Sequence, residues 1–274
     1  MSYQLPFKNN LREAELAINA IIEAGDMVMK IYERGFSTTI KKDNSELTEA
    51  DIKSNEIIQR IISVSGYPIL SEENIDNKKR LNHEKIWIVD PLDGTSDFVS
   101  RTGEFTIMIA LVEKNKPILG VIYSPVNKTL FIAQKNEGAY KINDGNCLKL
   151  RMNSVSELEK CCALVSRHHL SDKDRKFLLK SRIDKFTQRG SSLKVTDICS
   201  GNAELFFATT NNMKQWDTCA SYCLIKEAGG NITDIFGNNL EYNTEIVNHQ
   251  NGIMITNGLV HNLLIDSYRK FMNT

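Results

Sequence analysis

Five acidic side chains stand where the chain changes direction: Asp51 after "LTEA", Glu72 after "PILS", Asp90 and Asp93 within "WIVDPLDGT", and Asp217 after "KQW". Element ends are where a rigid scaffold offers side chains to a ligand. Singly, each acid has a plain structural use. Asp-Pro-x-Asp-Gly makes a good turn, Asp217 can cap a helix and favour its dipole, and Asp51 and Glu72 can face water. Together they supply what a hard divalent cation such as Mg²⁺ needs: oxygen ligands in octahedral geometry, with room for several waters. Within one turn "DPLDGT" offers the Asp90 carboxylate, the Leu92 carbonyl and the Asp93 carboxylate. Pro91 stiffens that turn, Gly94 lets a ligand approach the backbone, and Thr95 adds a hydroxyl. The motif contains no Cys or His, which argues against zinc. So many clustered acids remain ionised only with cations between them.

The elements that must position these acids follow from hydrophobic spacing. Leu11, Ala14, Ile18, Ile21, Gly25, Val28 and Tyr32 recur at helical intervals, predicting a long amphipathic helix over residues 8–34. "KKDNSELTEAD" reads as a polar loop or hairpin. "EADIKSNEIIQRIISV" reads as a second helix with Ile57, Ile58, Ile61 and Ile62 on its apolar face, and "YPILSEEN" as a short strand that ends in acids. "IWIV", "EFTIMIALVE", "PILGVIYSP", "KTLFIAQ" and "GAYKIN" are β-branched or aromatic runs between turn residues, a mostly antiparallel or mixed sheet. Beyond residue 150 strands ("CCALVS", "AELFFAT", "NGIMITNG") alternate with helices ("DKDRKFLLKS", "SSLKVTDICSG", "DTCASYCLIKEAGG", "LVHNLLIDSYRKFM"). No Pro/Gly/Ser linker intervenes. The expectation is an α/β protein of two joined halves, 1–150 and 151–274, with a cleft between them.

Composition is that of an ordinary globular chain, 41% hydrophobic and 25% charged with formal net charge zero, so no global field points to nucleic acid polymer or an anionic membrane. No apolar run nears the ~18 residues of a membrane span. The first twenty residues lack a signal-peptide pattern, and none of the six cysteines forms a CxxC. A reduced, cytoplasmic protein with mostly buried thiols is expected.

The ordered blocks "LTEAD", "SEE", "WIVDPLDGT", "WDTCA" and "EAGG", spanning residues 47–230, resemble the lithium-sensitive, Mg²⁺-dependent inositol monophosphatase superfamily. "GEFTIMIALVEKNKPILGVIYSPV", "SRHH" and "GSSLK" resemble its CysQ-type 3′(2′),5′-bisphosphate nucleotidase branch. The resemblance implies a layered α/β/α/β/α sandwich of the sugar-phosphatase type, with two or three Mg²⁺ held by Glu72, Asp90, the Leu92 carbonyl, Asp93 and Asp217. It implies Asp51 and Thr95 as the pair that orients and deprotonates a water, with no phosphoenzyme. Substrate contacts would come from Glu72, Leu92, Asp93, Gly94, Thr95, Asp217, Ser166, His169, Ser191, Ser192 and Lys194. The implied substrate is adenosine 3′,5′-bisphosphate or its sulfated form, with Li⁺ as inhibitor. Inositol monophosphate or a sugar phosphate is the alternative, and Phe206-Phe207-Ala208 stand where the branch usually carries Tyr-x-Arg. Against a non-catalytic scaffold stands the intact set of acids. Monomer and homodimer are both left open.

Overall fold

In the computed structural model, which describes residues 5–40 and 46–273, two sheets and three helical layers alternate. Helix α1 (Arg12–Arg34) buries Ala14, Ile18, Ile21, Gly25 and Val28, the stripe expected from spacing. A three-residue pair, β1 (Thr38–Ile40) and β2 (Glu46–Thr48), is antiparallel and leads into α2 (Glu49–Ile62). Residues 41–45 of the expected polar loop or hairpin lie outside the described residues. On α2 the buried stripe is Ala50, Asp51, Ser54, Asn55, Ile58 and Ile62, so polar groups share the inner face with two of the four isoleucines.

The large sheet has order β3-β4-β5-β6-β7-β8-β9, made of Ile69–Ser71, Lys85–Asp93, Thr106–Glu113, Lys116–Ser124, Thr129–Gln134, Gly138–Asn143 and Asn146–Lys149. Only β3 and β4 pair in parallel; the remaining neighbours are antiparallel. A five-residue helix, α3 (Thr95–Val99), follows β4 directly.

Successive side chains of a strand point to opposite faces, and in β4 both faces are covered. Trp87 and Val89 pack with α1 and α2, whereas Ile86 and Ile88 pack with Cys219, Ala220 and Leu224 of the helix described next. A strand buried on both sides reads as an unbroken apolar run rather than an alternation.

The second sheet, order β11-β10-β12-β14-β13, uses β10 (Cys162–Ser166), β11 (Lys185–Arg189), β12 (Leu205–Ala208), β13 (Asn231–Thr233) and β14 (Ile253–Thr256). Helices α5 (Leu193–Cys199) and α6 (Gln215–Ala228) fill the space between the sheets. On the outer face lie α4 (Asp172–Lys180) and α7 (His261–Met272), around Phe177, Phe207 and Tyr268. The order is therefore helices, sheet, helices, sheet, helices, as expected. Strands β9, β11, β13 and β1 and helix α3 escaped the sequence reading. The first two are mostly exposed and carry no alternation to detect. Four of the six cysteines are buried, Cys161, Cys199, Cys219 and Cys223; Cys147 is exposed and Cys162 is half-buried. Among the described residues no helix is long and apolar enough to cross a membrane.

Candidate active site

Strand β4 does not stop at Val89; it continues to Asp93 with an irregular register. Asp90 sits opposite Met108 and Asp93 opposite Thr106, so β4 carries one extra residue between them. Residues three apart in a regular strand face opposite sides, and a bulge of one residue re-aims them. Both carboxylates thereby feel the charge of Glu72.

Glu72, one residue beyond β3, Asp90 on β4 and Asp217 on α6 bring ligand oxygens within 4.8 Å of one another. Asp217 is the third residue of its helix rather than the first, and its Oδ2 accepts the Lys214 backbone N–H at 2.7 Å. Burial, then the charges of Glu72, Asp93 and Asp217, push the Asp90 carboxyl well above its ordinary range; the Leu92 N–H, donating to its Oδ1 at 3.1 Å, opposes that only in part. Asp217 is likewise raised, by burial and then by Glu72. Two buried carboxyls that resist ionising, set beside a third acid, make a donor set suited to a cation, and with oxygen alone as ligand that cation is a hard one.

Asp93 stands apart from this triad and faces the turn before α5. Its Oδ2 accepts the Ser192 backbone N–H, and the Thr106 hydroxyl at 3.3 Å. Burial raises its proton affinity most, while Lys194 and the Ser192 donors lower it; the net shift is upward. Ser192 Oγ meets Thr106 Oγ1 at 2.7 Å. Lys194 is buried, donates to the carbonyls of Ser191 at 2.6 Å and Arg189 at 3.3 Å, and lies 5.2 Å above the Phe206 ring. Its ammonium thus closes the turn rather than extending into the cleft. Phe207 packs against Phe177 on the opposite face, so the segment that departs from the branch's Tyr-x-Arg is core on both sides.

Asp51 and Thr95 are in contact. Thr95 Oγ1 lies 3.1 Å from Asp51 Oδ1 and 3.2 Å from the Leu92 carbonyl oxygen. Asp51 Oδ2 is held by the Thr48 N–H at 2.7 Å and the Thr48 hydroxyl at 2.6 Å, a capping box that fixes the carboxylate at the start of α2. Gly94, at φ +91°, precedes α3, and a Cβ there would come within 3.0 Å of Ser191 Cβ. The "DPLDGT" and "GSSLK" turns therefore meet at backbone distance. Ser166 and His169 lie further out: the His169 N–H donates to Ser166 Oγ at 3.1 Å, closing the loop after β10, and His169 is exposed.

Several residues of the site carried no assigned role in the sequence. Ser54 on α2 donates to the Pro91 carbonyl at 2.6 Å and supports the acidic turn from below. Asn55 links Ser71 to Asn74 around Glu72. Glu104, Arg167 and Arg189 form a charged group beside Gly190. The one available signal, for Ser54, was its spacing of four residues from Ile58 on the buried face of α2.

A profile of the inositol monophosphatase family matches residues 10–272. A curated 3′(2′),5′-bisphosphate nucleotidase CysQ of Aggregatibacter actinomycetemcomitans is 34% identical over 226 residues, covering 81% of this chain and 84% of that protein. The crystal structure of CysQ from Bacteroides thetaiotaomicron, described as a bacterial member of the inositol monophosphatase family, superposes with a TM-score of 0.75 at 31% identity, covering 89% of this chain and 96% of that one. A Thermotoga maritima IMPase, at 24% identity and a TM-score of 0.81 over 96% of this chain and 99% of its own, shares the fold. The chain belongs to the inositol monophosphatase family, as a phosphatase of that family.

Proposed function

We propose that this chain is a Mg²⁺-dependent 3′(2′),5′-bisphosphate nucleotidase that removes the 3′(2′)-phosphate of adenosine 3′,5′-bisphosphate, leaving AMP, and acts also on its sulfated form. The observation that carries the reading is the convergence of Glu72, Asp90 and Asp217 within 4.8 Å, beside an Asp51–Thr95 pair in hydrogen-bond contact. The name and extent of the CysQ relatives support the nucleotide as substrate. Glu72, Asp90 and Asp217 would hold Mg²⁺, with Asp93 and the Leu92 carbonyl completing its surroundings. Li⁺ would inhibit. Bound there, the cation supplies an acidified water and offsets negative charge on the phosphoryl group.

The protein's own part is positional. With Oδ2 locked by Thr48, Asp51 presents Oδ1 to Thr95, so a proton leaving water at Thr95 Oγ has an acceptor 3.1 Å away. The Gly94 and Thr95 amides open α3, where backbone N–H groups turn toward an anion. Ser191 and Ser192 would flank the phosphate from the opposite turn, with Ser166 and His169 toward the nucleotide. We place the division between the two halves near residue 150, after the last strand of the seven-stranded sheet.

Phosphate release from adenosine 3′,5′-bisphosphate, its sulfated form and inositol 1-phosphate, each with Mg²⁺ and with or without Li⁺, tests the proposal. Rapid, Li⁺-sensitive hydrolysis of the nucleotides is expected. Efficient turnover of inositol 1-phosphate with the nucleotides ignored would move the chain to the sugar-phosphate branch of the family.

A further inference from the structure

We infer that Glu104, in the loop before β5, is a positioning residue that clasps the Gly190–Lys194 turn against the acidic turn and so sets how tightly the phosphorylated substrate is held. The inference rests on the phosphatase reading of the same cleft and assigns a role to a residue outside the ligand set. Glu104 spends both carboxylate oxygens on the segment that follows β10. Oε2 accepts the Gly190 backbone N–H at 2.7 Å and Arg167 Nη2 at 2.7 Å; Oε1 accepts Arg189 Nη1 at 2.8 Å. Each arginine has a second acid: Arg167 Nε lies 3.2 Å from Asp97 Oδ1, and Arg189 Nε donates to Asp197 Oδ2 at 2.9 Å.

Two guanidiniums at the edge of a phosphatase cleft invite a role as phosphate receptors, but these two are already committed to three carboxylates. Their charge is offset by these acids, and single contacts to two carboxylates hold each guanidinium in place. What the arrangement holds in place is the turn. A Cβ on Gly190 would sit 2.5 Å from Asp97 Oδ2 and 2.7 Å from the Glu104 carbonyl oxygen, so the chain passes there only as bare backbone. The next residue, Ser191, has φ +48°, a left-handed conformation that a side-chain-bearing residue keeps only when its surroundings impose it. Lys194 imposes it from one side through the Ser191 carbonyl, and Glu104 from the other through the Gly190 N–H. The Ser192 N–H then meets Asp93. Burial raises the proton affinity of Glu104, but Arg167, the Gly190 N–H and Arg189 outweigh it, and the carboxyl stays below its ordinary range. The clasp is therefore ionised through the neutral pH range.

The test uses the full chain loaded with Mg²⁺, comparing wild type with Glu104→Ala and Glu104→Gln. Glutamine keeps one acceptor for the Gly190 N–H but cannot neutralise two guanidiniums, and its melting temperature checks folding. Glu104→Ala is expected to raise KM for adenosine 3′,5′-bisphosphate by about tenfold or more, with kcat within about threefold and the half-saturating Mg²⁺ unchanged. Glu104→Gln should fall between. Inorganic phosphate, titrated calorimetrically in Mg²⁺, should weaken in parallel. Unchanged KM and unchanged phosphate affinity in a folded Glu104→Gln and Glu104→Ala would overturn the inference, as would equal losses in Mg²⁺ affinity and kcat. A wild type that binds phosphate but hydrolyses none of the esters would instead refute the nucleotidase reading, and the phosphate titration alone would decide the role of Glu104.

Discussion

Asp90→Asn should make the metal-free protein more stable and the metal-loaded protein less so. Ionised carboxylates whose oxygens lie within 4.8 Å repel by about 3 kcal/mol per pair at an effective dielectric near 20. Asp90 takes part in two of the three pairs among Glu72, Asp90 and Asp217. A carboxyl escapes repulsion by taking a proton, and at pH 7 that route costs about 4 kcal/mol, three units above its ordinary value at about 1.4 kcal/mol each. The penalty carried by Asp90 without a cation is capped there. Asparagine removes it and can still accept the Leu92 N–H at Oδ1. The variant should therefore gain roughly 1–4 kcal/mol in EDTA, at about 2–4 °C of melting temperature per kcal/mol for a domain of this size. Saturating Mg²⁺ acts the other way: a ligand at 1,000 times its Kd adds about 4.1 kcal/mol to wild type, enough to match the largest metal-free gain of the variant, and the variant forfeits most of that. Thermal melts of both proteins in EDTA and in Mg²⁺, at one pH, give the four numbers required. An Asp90→Asn protein that is destabilised equally in both buffers would refute the reasoning, since the acids would then be held by hydrogen bonds rather than strained by one another.

Thr95→Ala removes the hydroxyl 3.1 Å from Asp51 Oδ1 and should cost about 10²-fold or more in kcat; steady-state phosphate release should show Thr95→Ser keeping most of the rate. Gly190→Ala puts a Cβ 2.5 Å from Asp97 Oδ2, an overpacking worth about 1–3 kcal/mol in urea denaturation, and an alanine variant of wild-type stability would show that the turn has slack. His249 is buried against Thr218, and burial holds its imidazole down to about 4. Its folded value lies below the unfolded one of about 6.5, so between them the unfolded chain binds more protons and stability falls as pH falls, by up to about 1.4 kcal/mol per unit. The stability gap between wild type and His249→Gln should accordingly narrow from pH 6.5 to 4, and a constant gap would mean that His249 is already charged in the folded protein.

The acids were legible because each stands at the end of an expected element, and Glu72 and Asp90 the more so because they close the runs "PILS" and "WIV". The strands were legible as apolar runs, though β9 and β11, mostly exposed, gave no period to detect. Invisible were residues whose meaning is their partner. Ser54 reads as an ordinary helical serine until α2 is laid under Pro91, and Glu104 as a surface acid until Arg167 and Arg189, 63 and 85 positions away, are brought to it. Hydrogen-bond partners that distant are chosen by topology, and local pattern carries no trace of them.

Asp93 ties these two kinds of residue together. One of its neighbours is the triad, whose Glu72 raises its proton affinity; the other is the α5 turn, whose Lys194 and Ser192 lower it. The triad itself is split between layers, with Asp90 on the seven-stranded sheet, Glu72 just past the end of its strand β3, and Asp217 on α6, which packs between the two sheets. A cation seated there would join the sheet to the middle helices, and the Ser192 N–H on Asp93 would extend that join to the turn held by Glu104. Metal affinity and the docking of the middle layer would on this geometry be one linked free energy, and mutations that loosen α6 should be felt at the ion as well as in the core.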